Sequence, residues 1–354
     1  MRLKLRRGRV VSVERRGPVA ECTVEVGGER RPAVSYTALT GPVEAGDDVV
    51  VNVAARDLGL GSGGFDIVHV NLTRGLEGEG IPGAHVMKLN YTSLQHAVEP
   101  VEERAGAVEP DGEPAEAAQE GARRVGPVAV IALHGQLPCV AWEAARRAPG
   151  ARIGYVQTTG GALPGELSRT VAELRGRGLL AGHVTAGAAF GAEHEAISTA
   201  GAIDAGFRAL GWDACIAGPG PGILGSATRL GHGGLAALDT AHAALALGCP
   251  TIVVPRMSSG DPRERHRGLS HHTATVLELL LAPAIVALPG GADVELPGRH
   301  EVREAAVDLD GYRSSGLPAR TMGRGIDEDE LFFRSALAGG AVLGEEIDGL
   351  RADR

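Results

Sequence analysis

The chain is poor in aromatic residues, cysteines and long apolar runs, and each shortage removes a class of function. Phe, Trp and Tyr make up 3% of its 354 residues. That is too few for the stacking platforms that hold single-stranded nucleic acid. Cys22, Cys139, Cys215 and Cys249 are scattered without a C-x-x-C pair, so neither a zinc knuckle nor a disulfide framework is expected and reduced thiols fit best. No run of about 18 apolar residues occurs, and the basic start Met1 to Arg9 is not followed by an apolar stretch of signal-peptide length. These readings predict a cytoplasmic protein with no membrane partner. Positive charge is also in short supply: the formal net charge of −9 disfavours nucleic acid. Arg2, Lys4, Arg6, Arg7, Arg9, Arg15 and Arg16 crowd together at the N-terminus as a local exception, read as a solvated, strand-flanking surface.

Glycine, by contrast, is abundant at 53 residues, which suggests tight turns and closely packed helices. The length points to two domains. Residues 1–100 alternate apolar and polar positions between turn signals, as in Cys22-Thr23-Val24-Glu25-Val26 and Asp48-Val49-Val50-Val51-Asn52-Val53. This is the pattern of short antiparallel strands, with Gly27-Gly28 as a hairpin turn. A small β-barrel of SH3-like or OB-like type would close their edges. Residues 101–126 turn to Glu, Pro, Ala and Gly without apolar periodicity and read as a flexible acidic linker.

Residues 127–345 alternate apolar strand-like runs with helical patterns. The runs are Val128–Leu133, Ile153–Val156, Ala181–Thr185, Ala214–Ala217, Thr251–Val254 and Ala284–Leu288. Such alternation implies a Rossmann-like, three-layer α/β domain with a mostly parallel sheet. Leu167, Val171 and Leu174 share one helical face; Ile197, Ala200, Ile203, Phe207 and Leu210 share another. A further helix near Asp329–Leu343 is expected at the edge of the sheet.

Ligands of open parallel sheets bind beyond the carboxyl ends of the strands, and the unusual loops of this chain follow strands directly. Gly218 to Gly225 contains a formal G-x-G-x-x-G at Gly220, Gly222 and Gly225. It does not follow the first strand, two prolines stiffen it, and the next strand ends at Pro255-Arg256 without a ribose-binding acid. A dinucleotide fingerprint is therefore weak, whereas an anion cradle with Ser226 and Thr228 as added donors competes evenly with a merely tight loop. Gly59 to Gly64 reads as a turn or bulge.

The sharpest local signal is Asp261 to Thr273. Ser270 can cap a helix and place His271 and His272 in its first turn, where the helix dipole favours neutral imidazole. His266, His271 and His272 are the candidate acids and bases, with Asp261 to orient one of them and Arg263, Arg265 and Arg267 to neutralise an anion. His134 and His232, in strand-end loops, are further candidates, while His183 and His242 read as core residues. No H-E-x-x-H or similarly spaced ligand set points to metal.

The stretches LGLGSGGFDIVHVNL, HVMKLNYTSLQ, TTGGALP, AGAAFGAEHEA, GPGPGILGSATRLGHGG and RMSSGDPRERHRGLSHHT together resemble the bacterial proteins grouped as domain of unknown function 3866. The resemblance spans nearly everything but the linker and the extreme C-terminus. It implies a cytosolic bacterial protein and carries no activity and no catalytic residue with it. From the residues themselves the expected partner is a small phosphorylated or carboxylated metabolite, held at the strand-end rim and transformed there if the protein is an enzyme. Two alternatives stand beside it: a metal-dependent hydrolase using His232, His266, His271, His272 and Asp261, and a non-catalytic sensor. A two-fold homodimer is the simplest assembly, and the residues name no cofactor.

Overall fold

The computed structural model describes residues 2–60, 64–105, 125–226 and 228–352, which form two compact units, residues 1–99 and 100–354. The acidic stretch 106–124 and residues 61–63 of the first glycine-rich loop lie outside the described residues.

In the first unit, β1 (Leu5–Arg15), β2 (Val19–Val26), β3 (Glu29–Tyr36), β4 (Asp48–Asn52) and β5 (Asp66–Asn71) close into a barrel in the order β1-β2-β3-β5-β4. All neighbours are antiparallel except β3 and β5. Period-two alternation turns Val10, Cys22, Val24, Ala33, Val49, Val51 and Val68 into the interior. Gly27 and Gly28 have φ of 60° and 85°, the left-handed pair that a two-residue hairpin requires. A short hairpin of β6 (Val86–Lys88) and β7 (His96–Val98) follows. The basic N-terminal surface is largely matched by acids: Lys4 pairs with Asp57, Arg7 with Asp48, Arg15 with Glu21 and Arg16 with Glu44.

In the second unit the strands up to residue 305 are β8 (Val128–Ile131), β9 (Ile153–Thr158), β10 (Gly182–Ala186), β11 (His194–Ala196), β12 (Ala214–Pro219), β13 (Thr251–Val254), then a two-stranded ribbon of β14 (Met257–Ser258) and β15 (Gly268–Leu269), and β16 (Ile285–Pro289) and β17 (Glu301–Ala305). Apart from the ribbon they form one parallel sheet, ordered β11-β10-β9-β12-β8-β13-β16-β17. All six expected strands are present. The two outermost strands, β11 and β17, are additions to the sequence reading. The helices are α1 (Leu137–Arg147), α2 (Arg169–Gly176), α3 (Thr199–Arg208), α4 (Ala236–Ala246), α5 (His271–Leu279), α6 (Leu309–Ser314) and α7 (Glu330–Ala352).

Because the sheet is covered on both faces, successive residues of one strand enter different cores. Ala129 and Ile131 pack with α1 and α7, and Val128 and Val130 with α3 and α4. Two expectations are corrected. Helix α7 does not sit at the sheet edge but packs along α1 and over β13 and β16, where Gly339 and Gly340 leave no room for a Cβ against Val254 and Val140. Ile197 precedes α3 and is exposed, because the cap at Ser198 starts the helix after it.

The connection after β8 leads past β12 to β9, and the connection after β12 leads past β8 to β13. Chain crossings of opposite sense at neighbouring strands open a crevice beyond their carboxyl ends. The loops that carry the candidate residues follow β8, β12 and β13.

A histidine and arginine cluster at the strand ends

Strand β13 ends at Val254, and Pro255 leads to Arg256 and the ribbon β14–β15. Ser270, just past the ribbon, has extended backbone and accepts a hydrogen bond from the His272 amide. That cap starts α5 and fixes His271 and His272 in its first turn. The Ser270 hydroxyl also lies 2.7 Å from His266 Nδ1. His232 enters from the loop after β12, where Gly225 and His232 form a β-bridge and the Gly233 amide donates to the Leu224 carbonyl.

Four imidazoles thus meet. The His232 and His272 rings stack, with centroids 3.7 Å apart and planes 9° from parallel. His271 lies 4.4 Å from His272 and 5.4 Å from His232, and His266 lies 4.9 Å from His271. Ring nitrogens of His232, His271 and His272 fall within 4.8 Å of one another. Both nitrogens of His232 and Nε2 of His271 are buried without a hydrogen-bond partner among the described residues. A Cβ on Gly234 would stand 3.2 Å from Nδ1 of both His232 and His272, so this glycine keeps the space beside those atoms clear.

Burial first, then neighbouring positive charge, keeps these rings neutral. His266 is pushed down to about 3 by burial and by Arg256 and Arg263. His272 is pushed to about 2 by burial and by His232 and Arg256. His232 and His271 shift the same way, again chiefly through burial, opposed at His232 by the nearby Arg229 carbonyl, which lies outside hydrogen-bond geometry.

Beneath the rings lies a buried ion network. Arg256 is 1% exposed; it donates through Nη1 to His272 Nδ1 at 3.2 Å and through Nη2 to Asp261 at 3.1 Å. Its Nη2 also approaches Met322 Sδ at 3.4 Å, and its Nε has no partner among the described residues. Burial draws the guanidinium down to about 10, still charged at neutral pH. Asp261 accepts two bonds of 2.9 Å from the Arg263 guanidinium and meets Arg324 at 3.4 Å. Asp329 accepts from Arg324, the Ser258 hydroxyl and the amides of Ser259 and Gly260.

The sequence-derived candidates are therefore distributed unevenly. His266, His271 and His272 come together, joined by His232. Asp261 is fully buried and bonded to arginines rather than to a histidine, because arginines surround it on three sides. Arg263 is tied to that carboxylate, while exposed Arg265 contributes its charge to His232 and His271. In the glycine-rich loop after Gly218, Gly220 is buried, whereas Gly222, Gly225, Ser226 and Thr228 are exposed. Gly220 approaches the Ala162 carbonyl, Ser226 and Thr228 hydroxyls bond each other at 2.8 Å, and the Ser226, Thr228 and Gly231 amides are bonded within the loop. Gly222 takes φ of 73° and Gly225 pairs with His232, which makes this loop a support for His232.

His134 belongs to a second buried group. Its Nε2 lies 2.7 Å from the Ser168 hydroxyl and its Nδ1 3.3 Å from both Tyr155 Oη and the Pro219 carbonyl. His183 stacks on Tyr155. Four participants escaped the sequence reading. Arg256 had a signal, a lone arginine directly after a buried strand and a proline; Met322, Arg324 and Asp329 had none, since they arrive from some 70 residues further along the chain.

Fold and cluster define an α/β protein with a histidine and arginine centre on the carboxyl rim of a parallel sheet. A family model described as a protein of unknown function (DUF3866) matches residues 32–340, and the chain belongs to that family. No curated protein and no solved structure matches the chain. Among the described residues no helix is long and apolar enough to cross a membrane.

Proposed function

We propose that this rim binds the phosphate or carboxylate group of a small metabolite on Arg256 and presents neutral imidazoles to the bound molecule. The observation that carries this reading is Arg256 itself: almost wholly buried, with Nε unpartnered and part of Nη2 turned to a thioether. Sulfur is a weak acceptor, and a charged donor left without a strong one is costly in a buried site. An oxyanion would satisfy these donors with charge-assisted bonds. Electrostatics favour the same occupant. Arg256 and Arg324 are balanced by Asp261 and Asp329, while Arg263 and Arg265 add positive charge at the rim. The anion anchor is placed at the end of β13 rather than on the glycine-rich loop, where the Leu224, Ser226, Thr228 and Gly231 amides are already bonded. His271, partly buried and with its buried Nε2 unpartnered, is the best placed acid or base.

Titration of inorganic phosphate and of small phosphorylated and carboxylated metabolites into chelator-treated protein, followed by calorimetry, tests the anchor. Arg256→Lys keeps the charge and loses the planar fork, and is expected to weaken binding at least tenfold. Undiminished affinity in that variant would refute the assignment. His271→Asn is expected to retain binding and to abolish conversion of a bound substrate; a ligand that is never consumed by the wild type identifies a sensor instead.

A further inference from the structure

We infer that His232, His271 and His272 form a site for one divalent transition ion, whose coordination is completed by the anion on Arg256. The metal site stands on its own observations; only the completing anion rests on the function proposed above.

Three features point to a cation. The donors are the right kind: three imidazoles, with nitrogens already within 4.8 Å of one another. Zinc-to-imidazole bonds of about 2.0–2.1 Å place ligand nitrogens of one shell roughly 3.3 Å apart, so the rings need to close by about 1.5 Å at most. Three of the six ring nitrogens are buried and unpartnered, on side chains that include His232 at 7% exposure. Finally, Gly234 leaves open the space next to two Nδ1 atoms, where any side chain would stand 3.2 Å away. Imidazole donors select zinc, cobalt, nickel or copper over magnesium and calcium, which prefer oxygen.

The arrangement also says what binding must change. Parallel stacked rings cannot aim two lone pairs at one point, so His232 and His272 must unstack. An arginine only donates, so the Arg256 contact fixes the lone pair of His272 on Nδ1. A metal taking that lone pair displaces Arg256 Nη1 and frees the guanidinium for an anion. Metal and anion are then coupled, because the anion offsets the positive charge that the arginines and the ion would otherwise share. By linkage, each raises the affinity of the other by the same factor.

The test uses the full chain, stripped with chelator and dialysed. Zinc and cobalt are titrated by calorimetry, cobalt also by its visible absorption, and bound metal is counted by mass spectrometry after gel filtration. One ion per chain with a micromolar or lower Kd is expected, with no response to magnesium, and tighter binding when phosphate is present. His271→Asn, at a partly buried position, should weaken zinc at least a hundredfold. Gly234→Ala should weaken it at least tenfold while the circular dichroism stays unchanged. Sub-stoichiometric uptake by the wild type, or full affinity in His271→Asn, would overturn the site. Phosphate binding to the stripped protein is read separately, so a failed metal site and a failed anion anchor give different results.

Discussion

Asp261→Asn is expected to lower the unfolding free energy of the α/β unit by about 3–5 kcal/mol, the cost of leaving a buried charge without its counterion. The substitution is nearly isosteric, so packing is preserved and the effect isolates charge. Asp261 is fully buried, and three guanidiniums converge on it: Arg256, Arg263 and Arg324. Against the opposing effect of burial, the Arg263 guanidinium and amide, with the charge of Arg256, hold its carboxyl far below the usual carboxylate range. Arg263 and Arg324 retain other outlets, one in solvent and the other on Asp329. Arg256 has neither, since only His272 and Met322 remain beside it. Urea unfolding followed by tryptophan fluorescence measures the loss. Both tryptophans, Trp142 and Trp212, lie in the α/β unit, so the signal excludes the barrel. Combining Asp261→Asn with Arg256→Met should restore part of the lost stability, since removing both charges is far less damaging than removing one. A single-variant loss under 1 kcal/mol would show that Arg256 does not depend on this carboxylate.

The same network shows where sequence reading succeeds and where it stops. The six inner strands were legible because both faces of each are covered, which leaves continuous apolar runs such as Val128 to Ile131. Edge strands have one partner and fewer buried positions. β11 is three residues long and β17 reads Glu-Val-Arg-Glu-Ala, a charged pattern suited to an exposed edge that no apolar periodicity reveals. The Ser270 cap was legible because capping is local chemistry, and with it the placement of His271 and His272. The partners of Asp261 were not. Its spacing from Arg263 is local, but Arg324 is brought to it by the hairpin β18 (Arg320–Thr321) and β19 (Arg324–Gly325), and nothing between residues 261 and 324 encodes that approach. The sequence therefore pointed to Asp261 as a helper of a base, whereas the tertiary structure surrounds it with arginines. Similarly, Gly220, Gly222 and Gly225 fit a phosphate loop on paper. The close approach of Gly220 to Ala162 and the bridge from Gly225 to His232 are contacts that this spacing does not encode.

Acidification from pH 7 to pH 5 is expected to destabilise the α/β unit, and two histidines outside the rim cluster contribute about 4 kcal/mol of the loss, to which the depressed rim histidines add. Burial drives His134 down to about 4, with the Pro219 carbonyl partly opposing. Burial likewise drives His183 to about 3, assisted by His134 and Arg175 and opposed by Glu193. In the unfolded chain both titrate near 6.5. Between that value and the native ones the unfolded state binds more protons, so stability is fully present above about 6.5 and falls as the pH drops. Each ring then loses about 1.4 kcal/mol per pH unit, or about 2 kcal/mol by pH 5. Asp261 acts in a lower window: its native value is depressed, so its contribution persists until the pH falls below the ordinary carboxylate range. The loss between pH 7 and pH 5 is therefore a histidine effect and not a carboxylate effect. Urea midpoints at pH 7, 6 and 5 measure it, again through tryptophan fluorescence. His183→Phe preserves a ring against Tyr155, whose centroid lies 5.2 Å from that of His183, and removes the titration. The rim histidines contribute to the loss in both proteins, so that variant should lose about 2 kcal/mol less than the wild type on acidification. A wild-type midpoint that stays constant from pH 7 to pH 5 would mean that His134 and His183 protonate without unfolding, and that the buried Tyr155 group is open to water.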